Sequence, residues 1–120
     1  MPIKVMILED DAVWRTLYRL LLGSDADLEI IAEFETAEEA LRQIPRLRPD
    51  VAVVDLSLPG MTGQDFAERL KEYPAIKVII VTAHDPAYVA SLQLQEMSIV
   101  DKAYSNELLQ KIKAVGARQQ

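Results

Sequence analysis

The stretch VMILEDD, residues 5–11, runs four apolar residues directly into three carboxylic acids, Glu9, Asp10 and Asp11. Two like charges about 4 Å apart repel by roughly 4 kcal/mol at an effective dielectric near 20. Acids crowded at the end of a segment built for burial therefore call for a counter-ion. Similar runs recur along the chain: LEIIAEF (28–34), VAVV (51–54), KVIIVTA (77–83) and the shorter SIV (98–100). The first run begins at Ile3, and it shares with 51–54 and 77–83 a continuous, Val- and Ile-rich hydrophobicity. That suits parallel strands covered on both faces. Glu29 and Glu33 interrupt the run at 28–34, which places it at a sheet edge with one side in water.

Helical patterns fill the gaps. Residues 12–22 follow Asp11, a good N-cap, and the spacing predicts an inward stripe of Val13, Leu17, Leu20 and Leu21. Thr36 and Glu39 have capping-box spacing for a helix over 37–47 that turns Ala40, Leu41 and Ile44 inward. A third helix is predicted over 63–73, presenting Phe66 and Leu70, and Asp85-Pro86 opens a fourth over 86–96. The last, over 105–117, aligns Leu108, Leu109, Ile112 and Val115. Five strand–helix units in alternation predict an α/β fold, a (βα)5 doubly wound parallel sheet. The expected strand order is the open flavodoxin-like 2-1-3-4-5, with residues 1–120 as one domain.

Composition narrows the function. The formal charge of −6 argues against direct nucleic-acid binding by this domain and against an anionic membrane surface. The chain has no cysteine, which removes disulfides and thiolate metal sites. No apolar run approaches the roughly 20 residues that span a bilayer, and no signal-peptide layout opens the chain, so a cytoplasmic location is expected.

In an open parallel sheet the strand C-termini share one edge, and ligands bind there where the strand order reverses. The first run ends in Glu9-Asp10-Asp11, the third in Asp55, the fourth in Thr82 and the fifth in Asp101-Lys102. Strands one and three are neighbours in this order, so Asp10 and Asp55 are expected within a few ångströms, titrating jointly and releasing a shared proton to metal. Clustered carboxylates without nearby Cys or His ligands favour a hard cation, Mg²⁺ or Mn²⁺. Lys102 is a point charge suited to a phosphoryl oxygen, Thr82 a hydroxyl donor to another, and phosphorylation of an aspartate is a known covalent strategy. Asp11 reads as a helix cap. His84 is either a plain exposed loop residue or one that tunes the access of water to the site. Trp14 and Tyr18 read as surface or packing residues of the first helix.

With ILEDD, VVDLSLPGMTG, VIIVTA and VDKAYSNELL in this order, the chain resembles the receiver domain of two-component response regulators over nearly its full length. The resemblance implies a phosphorylation-dependent signalling switch with Asp55 as phosphoacceptor. It further implies Asp10 as the direct Mg²⁺ ligand, Glu9 acting mostly through water, and the Ser57 carbonyl completing the metal site. Thr82 and Lys102 would hold the phosphoryl oxygens. The donor would be a phosphohistidine on a sensor histidine kinase or phosphotransfer protein, or a small acyl phosphate. A homodimer is one assembly such domains form.

Departures from the family pattern are local. Ala103 follows the lysine where proline across a cis bond is usual, and a non-proline cis bond costs about 2.5–4 kcal/mol. Ile99 stands where a Tyr or Phe switch is usual, and Tyr104 lies beyond the lysine at the expected start of the last helix. Gln95-Glu96-Met97 replaces the usual Gly-Ala, which predicts an irregular end to the fourth helix. The VDKAYS ending resembles NarL/LuxR-type regulators, which implies a DNA-binding output domain in a longer chain. Three other functions fit parts of the pattern. A phosphohydrolase would use an acid where Ser57 stands, a binding module would never take phosphate, and a flavin site would need phosphate-cradling amides in place of LEDDAV.

Overall fold

The computed structural model describes residues 1–92 and 98–116. Its elements run β1 (Ile3–Leu8), α1 (Ala12–Gly23), β2 (Leu28–Phe34), α2 (Ala37–Leu47), β3 (Val51–Asp55), α3 (Gly63–Arg69), β4 (Lys77–Thr82), α4 (Pro86–Ser91), β5 (Ser98–Asp101) and α5 (Ser105–Gly116). The five strands are parallel in the order 2-1-3-4-5, with the Glu-interrupted β2 at one edge as predicted.

Because successive strand residues point to opposite faces, each continuous apolar run feeds two cores. Met6, Leu8, Ala52, Val54 and Ile80 pack toward α2 and α3, where they meet Ile44 and Phe66. Val5, Ile7, Val53, Ile79 and Val81 pack toward α1 and α5, against Tyr18, Leu22, Leu108 and Ile112. Burial on both faces explains why β1, β3 and β4 carry no polar alternation.

The caps formed as predicted. The Asp11 carboxylate accepts from the Val13 and Trp14 N–H groups, Thr36 Oγ1 from Glu39 N–H, and Asp85 from Tyr88 N–H. Two expectations need correction. On α1 three of the four residues predicted to face inward face water: Val13 is 66% exposed, Leu17 45% and Leu20 69%. Leu21 is half-buried and packs against the core as predicted, beside the buried Tyr18 and Leu22. Apart from Arg15, Thr16 and Arg19 the helix is largely apolar, and the stripe at four-residue spacing, 14, 18 and 22, turns to the sheet. The helix after β3 is shorter than predicted, its last turn tightening into a 3-10 turn over Leu70–Glu72. Tyr104 stands at the entry to α5 as expected, its carbonyl accepting from Glu107 N–H at 3.0 Å and its side chain 60% exposed. The proposed irregular segment Gln95-Glu96-Met97 and the end of the predicted fourth helix lie outside the described residues. The Lys102–Ala103 peptide is trans.

Two glycines shape the loop after β3. Gly60 has φ +73°, a conformation a turn after Pro59 reaches without a Cβ penalty. Gly63 opens α3 so close to β3 that a Cβ would lie 2.8 Å from the Asp55 carbonyl oxygen and 3.0 Å from Leu56 Cα. Both neighbours are backbone atoms that cannot swing aside. Gly63→Ala is therefore expected to destabilise the domain by about 1–3 kcal/mol, as overpacking does, measured as a lowered midpoint in urea unfolding.

Candidate functional site

The strand registers converge on one edge. Leu8 pairs with Val54, so Glu9 follows beside Asp55; Asp55 pairs with Val81, and Thr82 with Asp101. By alternation, Glu9, Asp55 and Lys102 all point toward the α1/α5 layer, while Thr82 points toward the other.

Lys102 is the hub. Its side chain is 8% exposed, and Nζ lies 2.7 Å from Glu9 Oε1 and 3.1 Å from Asp55 Oδ2. The Asp55 contact is a hydrogen bond. The Glu9 contact is close but lacks hydrogen-bond alignment, since Oε1 accepts no hydrogen bond, so it acts as an ion pair. Burial would lower the lysine's pKa, but the paired Glu9 and Asp55 outweigh it and hold the ammonium above the ordinary lysine range.

Asp55 is buried, and its second oxygen, Oδ1, accepts from Ser57 N–H at 2.9 Å. Glu9 has no solvent exposure; its Oε2 accepts from Asp11 N–H at 3.2 Å. Burial pushes the Glu9 carboxyl up to about 7, and the nearby Asp55 adds to the rise, against the opposing pull of Lys102 and the Asp11 N–H. Glu9 is sealed under the sheet edge, whereas its neighbour Asp10 stands in water.

Glu9, Asp10 and Asp55 each offer an oxygen, and the three lie within 4.8 Å of one another. The expected meeting of Asp10 and Asp55 is therefore met. This donor set could hold a metal ion, and its chemistry fits Mg²⁺ or Mn²⁺: oxygen only, with an exposed member that leaves room for water and a phosphate oxygen. Three carboxylates against one ammonium also leave an excess of negative charge for a divalent cation to neutralise.

The remaining predicted residues border this cluster. Thr82 is buried; its Oγ1 accepts from His84 N–H at 3.0 Å, and its carbonyl accepts from Lys102 N–H at 2.8 Å. Ser57 and His84 are exposed and joined by a 2.7 Å hydrogen bond between Oγ and Nε2, which ties the loop after β3 to the loop after β4. Arg15 escaped the sequence reading, and Trp14 was read there only as a surface or packing residue. Arg15 donates through Nη1 to the Glu9 carbonyl at 2.8 Å and pairs with Glu35 at 3.2 Å, fixing the acidic turn from outside. Trp14 places its ring centroid 4.8 Å from Lys102 Nζ. Its signal was the 14, 18, 22 spacing, one helical turn beyond Asp10.

An open parallel sheet with an acid cluster, a buried lysine and a threonine at its switch point defines a class: doubly wound α/β domains with an acidic site at the strand C-termini. Residues 5–113 match the response regulator receiver domain family, and the chain belongs to it. Receiver domains act in phosphorylation-dependent signalling. The chain is 41% identical over 81 residues to a protein-glutamate methylesterase/protein-glutamine glutaminase from Syntrophus aciditrophicus, covering 68% of this chain and 23% of that protein. It is 34% identical over 111 residues to the Rhizobium johnstonii protein of that name, covering 89% of this chain and 32% of the other. The chain thus spans a third or less of these relatives. Among solved structures it resembles a DNA-binding response regulator of the LuxR family from Staphylococcus aureus, with 30% identity, a TM-score of 0.81, and coverage of 94% and 98% of the two chains. Among the described residues, no helix is long and apolar enough to cross a membrane.

The Glu9 shift has a checkable sign. Its folded value, about 7, lies above the ordinary 4.5, so the neutral acid favours the metal-free fold at low pH and that contribution disappears as pH rises through 7. Thermal midpoints without metal should fall between pH 5 and 8, and Glu9→Gln should flatten that fall. Mg²⁺ added near neutral pH should release protons, because metal ligands bind deprotonated; calorimetry in buffers of different ionisation enthalpy would count them, and Glu9→Gln should abolish most of the release.

Proposed function

We propose that this chain is a phosphoacceptor switch in which Asp55 takes a phosphoryl group from a phosphohistidine of a sensor histidine kinase or phosphotransfer protein. A carboxylate oxygen of Asp55 bonds to phosphorus while the N–P bond breaks, and its electron pair stays on the leaving imidazole nitrogen. Hydrolysis later adds water at phosphorus, releases inorganic phosphate and restores the Asp55 carboxylate. The observation that carries this reading is the setting of Asp55: buried at the switch point, steadied by the Ser57 N–H and Lys102, with two further acids within ligand distance. A bound Mg²⁺ or Mn²⁺ would be held by Asp10, Asp55, Glu9 and the Ser57 carbonyl, and would neutralise charge on the transferring group.

The chain's own residues supply the rest. Lys102 already contacts Asp55 and can pass to a phosphoryl oxygen without leaving its burial site. Thr82 can turn its hydroxyl proton to another oxygen. The new charge of about −1.5 to −2 would then draw on both. Lys102 N–H is bonded to the Thr82 carbonyl, so the ends of β4 and β5 respond together, and with them α4 and α5. That face would carry the signal to a partner, to a second copy or to an output domain in a longer chain. The Ser57–His84 pair bridges the two loops beside Asp55 and would regulate the approach of water. We infer a cytoplasmic setting from the intracellular phosphohistidine donor this reading calls for.

Acetyl phosphate with Mg²⁺ should add the mass of one phosphoryl group to the chain, labile to hydroxylamine. Asp55→Asn should take none, and Lys102→Ala should slow the addition by about a hundredfold or more. Unaltered labelling of Asp55→Asn would overturn the assignment. His84→Ala should change the lifetime of the adduct, read by mass after removal of the donor, while leaving its yield at saturation.

A further inference from the structure

Lys102 is held on three sides, and only two of them are acids. An ammonium carries three N–H donors; Glu9 Oε1 and Asp55 Oδ2 lie 2.7 Å and 3.1 Å from Nζ, and the indole of Trp14 covers a further face at 4.8 Å from its centroid. Tryptophan has the strongest cation–π attraction of the aromatic side chains, and the interaction gains when the cation is desolvated, as at this nearly buried lysine.

The backbone that carries the ring is fixed on two sides, and the ring itself meets Tyr18. Asp11 caps the first turn of α1 and accepts from Trp14 N–H at 3.4 Å, and Arg15 binds the same turn to the Glu9 carbonyl. Tyr18, one turn on and 4% exposed, sets its ring 6.0 Å from the indole at 37°. The indole therefore sits on a helix start locked to the acidic turn. A surface residue free to choose its rotamer would lack such supports.

We propose that Trp14 is a positioning residue for Lys102: its ring keeps water from the ammonium and confines Nζ to the space between Glu9 and Asp55, where the phosphoryl group arrives. The inference rests on the phosphoacceptor reading above. It goes beyond that reading by assigning the aim of the lysine to a helix that contributes no atom to the reacting groups.

The test uses the whole chain with acetyl phosphate and Mg²⁺, following initial rates of adduct formation by mass. Trp14→Leu keeps apolar bulk without the ring and should slow the reaction about three- to tenfold, the range a partly desolvated cation–π contact supplies. Trp14→Tyr and Trp14→Phe should fall between, in the order Trp, Tyr, Phe, Leu, because the ring face weakens along that series. In a Lys102→Ala background, read over longer incubation, Trp14→Leu should change the rate no further. Equal rates across the ring series would overturn the proposal. So would a Trp14→Leu effect of the same size with and without the lysine, which would mark the ring as ordinary packing. If circular dichroism shows Trp14→Leu unfolded, the Tyr and Phe variants carry the test alone. Asp55→Asn labelled at the wild-type rate would instead remove the phosphoacceptor reading, a failure separable from the other two.

Discussion

The ammonium of Lys102 sets the terms for this domain. Two carboxylates that lie under the sheet edge, Glu9 and Asp55, share one cation almost as buried as they are. Taking such charges out of water costs several kcal/mol per ion, and removal of one partner from a buried pair leaves the other uncompensated. Backbone donors steady the other oxygens: the Ser57 N–H serves Asp55 Oδ1 and the Asp11 N–H serves Glu9 Oε2, while Glu9 Oε1 rests on the ion pair with Lys102 alone. Even so, burial raises the Glu9 carboxyl well above the ordinary carboxylate range, so keeping that side chain charged in this place costs the fold some stability.

Strand alternation decides who belongs to that cluster. The three charged side chains project toward the α1/α5 layer, so the helix that follows β1 is the one that closes over them. Thr82, one place out of phase, reaches the same edge from the opposite layer and is joined to Lys102 through the main chain. The fold thereby brings residues from positions 9, 55, 82 and 102 to one place using only the parity of four strands and their common direction.

This is also why so much could be read in the sequence. The runs at 3–8, 51–54 and 77–83 are continuously apolar and bounded by polar residues, so the central strands, their order and the edge role of β2 followed from hydrophobicity and from Glu29 and Glu33. The acids were legible because they stand immediately after those runs. The orientation of α1 was not. With Val13, Trp14, Leu17, Tyr18, Leu20, Leu21 and Leu22 all apolar or amphipathic, two overlapping stripes compete, and hydropathy favours the aliphatic one. The fold chose the aromatic stripe, which turns Tyr18 into the core and sets Trp14 against Lys102, and an open cavity remains between α1 and α5. The burial of Glu9 was equally hidden, since Glu9 and Asp10 are adjacent acids that differ only in which way the turn points them. The Ser57–His84 contact joins side chains 27 positions apart on two loops, and no local pattern announces it.

The close seating of Gly63 against the Asp55 carbonyl has a mechanical consequence. The main chain under Asp55 is wedged between β1, β4 and the first residue of α3, so it behaves as an anvil. Under the proposed role of Asp55, a group added to its side chain would not be accommodated by retreat of the backbone beneath it. The displaced volume and charge would have to be taken up around the rim, by the lysine, the two bridged loops and the short α4. Rigidity under Asp55 would then turn a local chemical event into movement elsewhere.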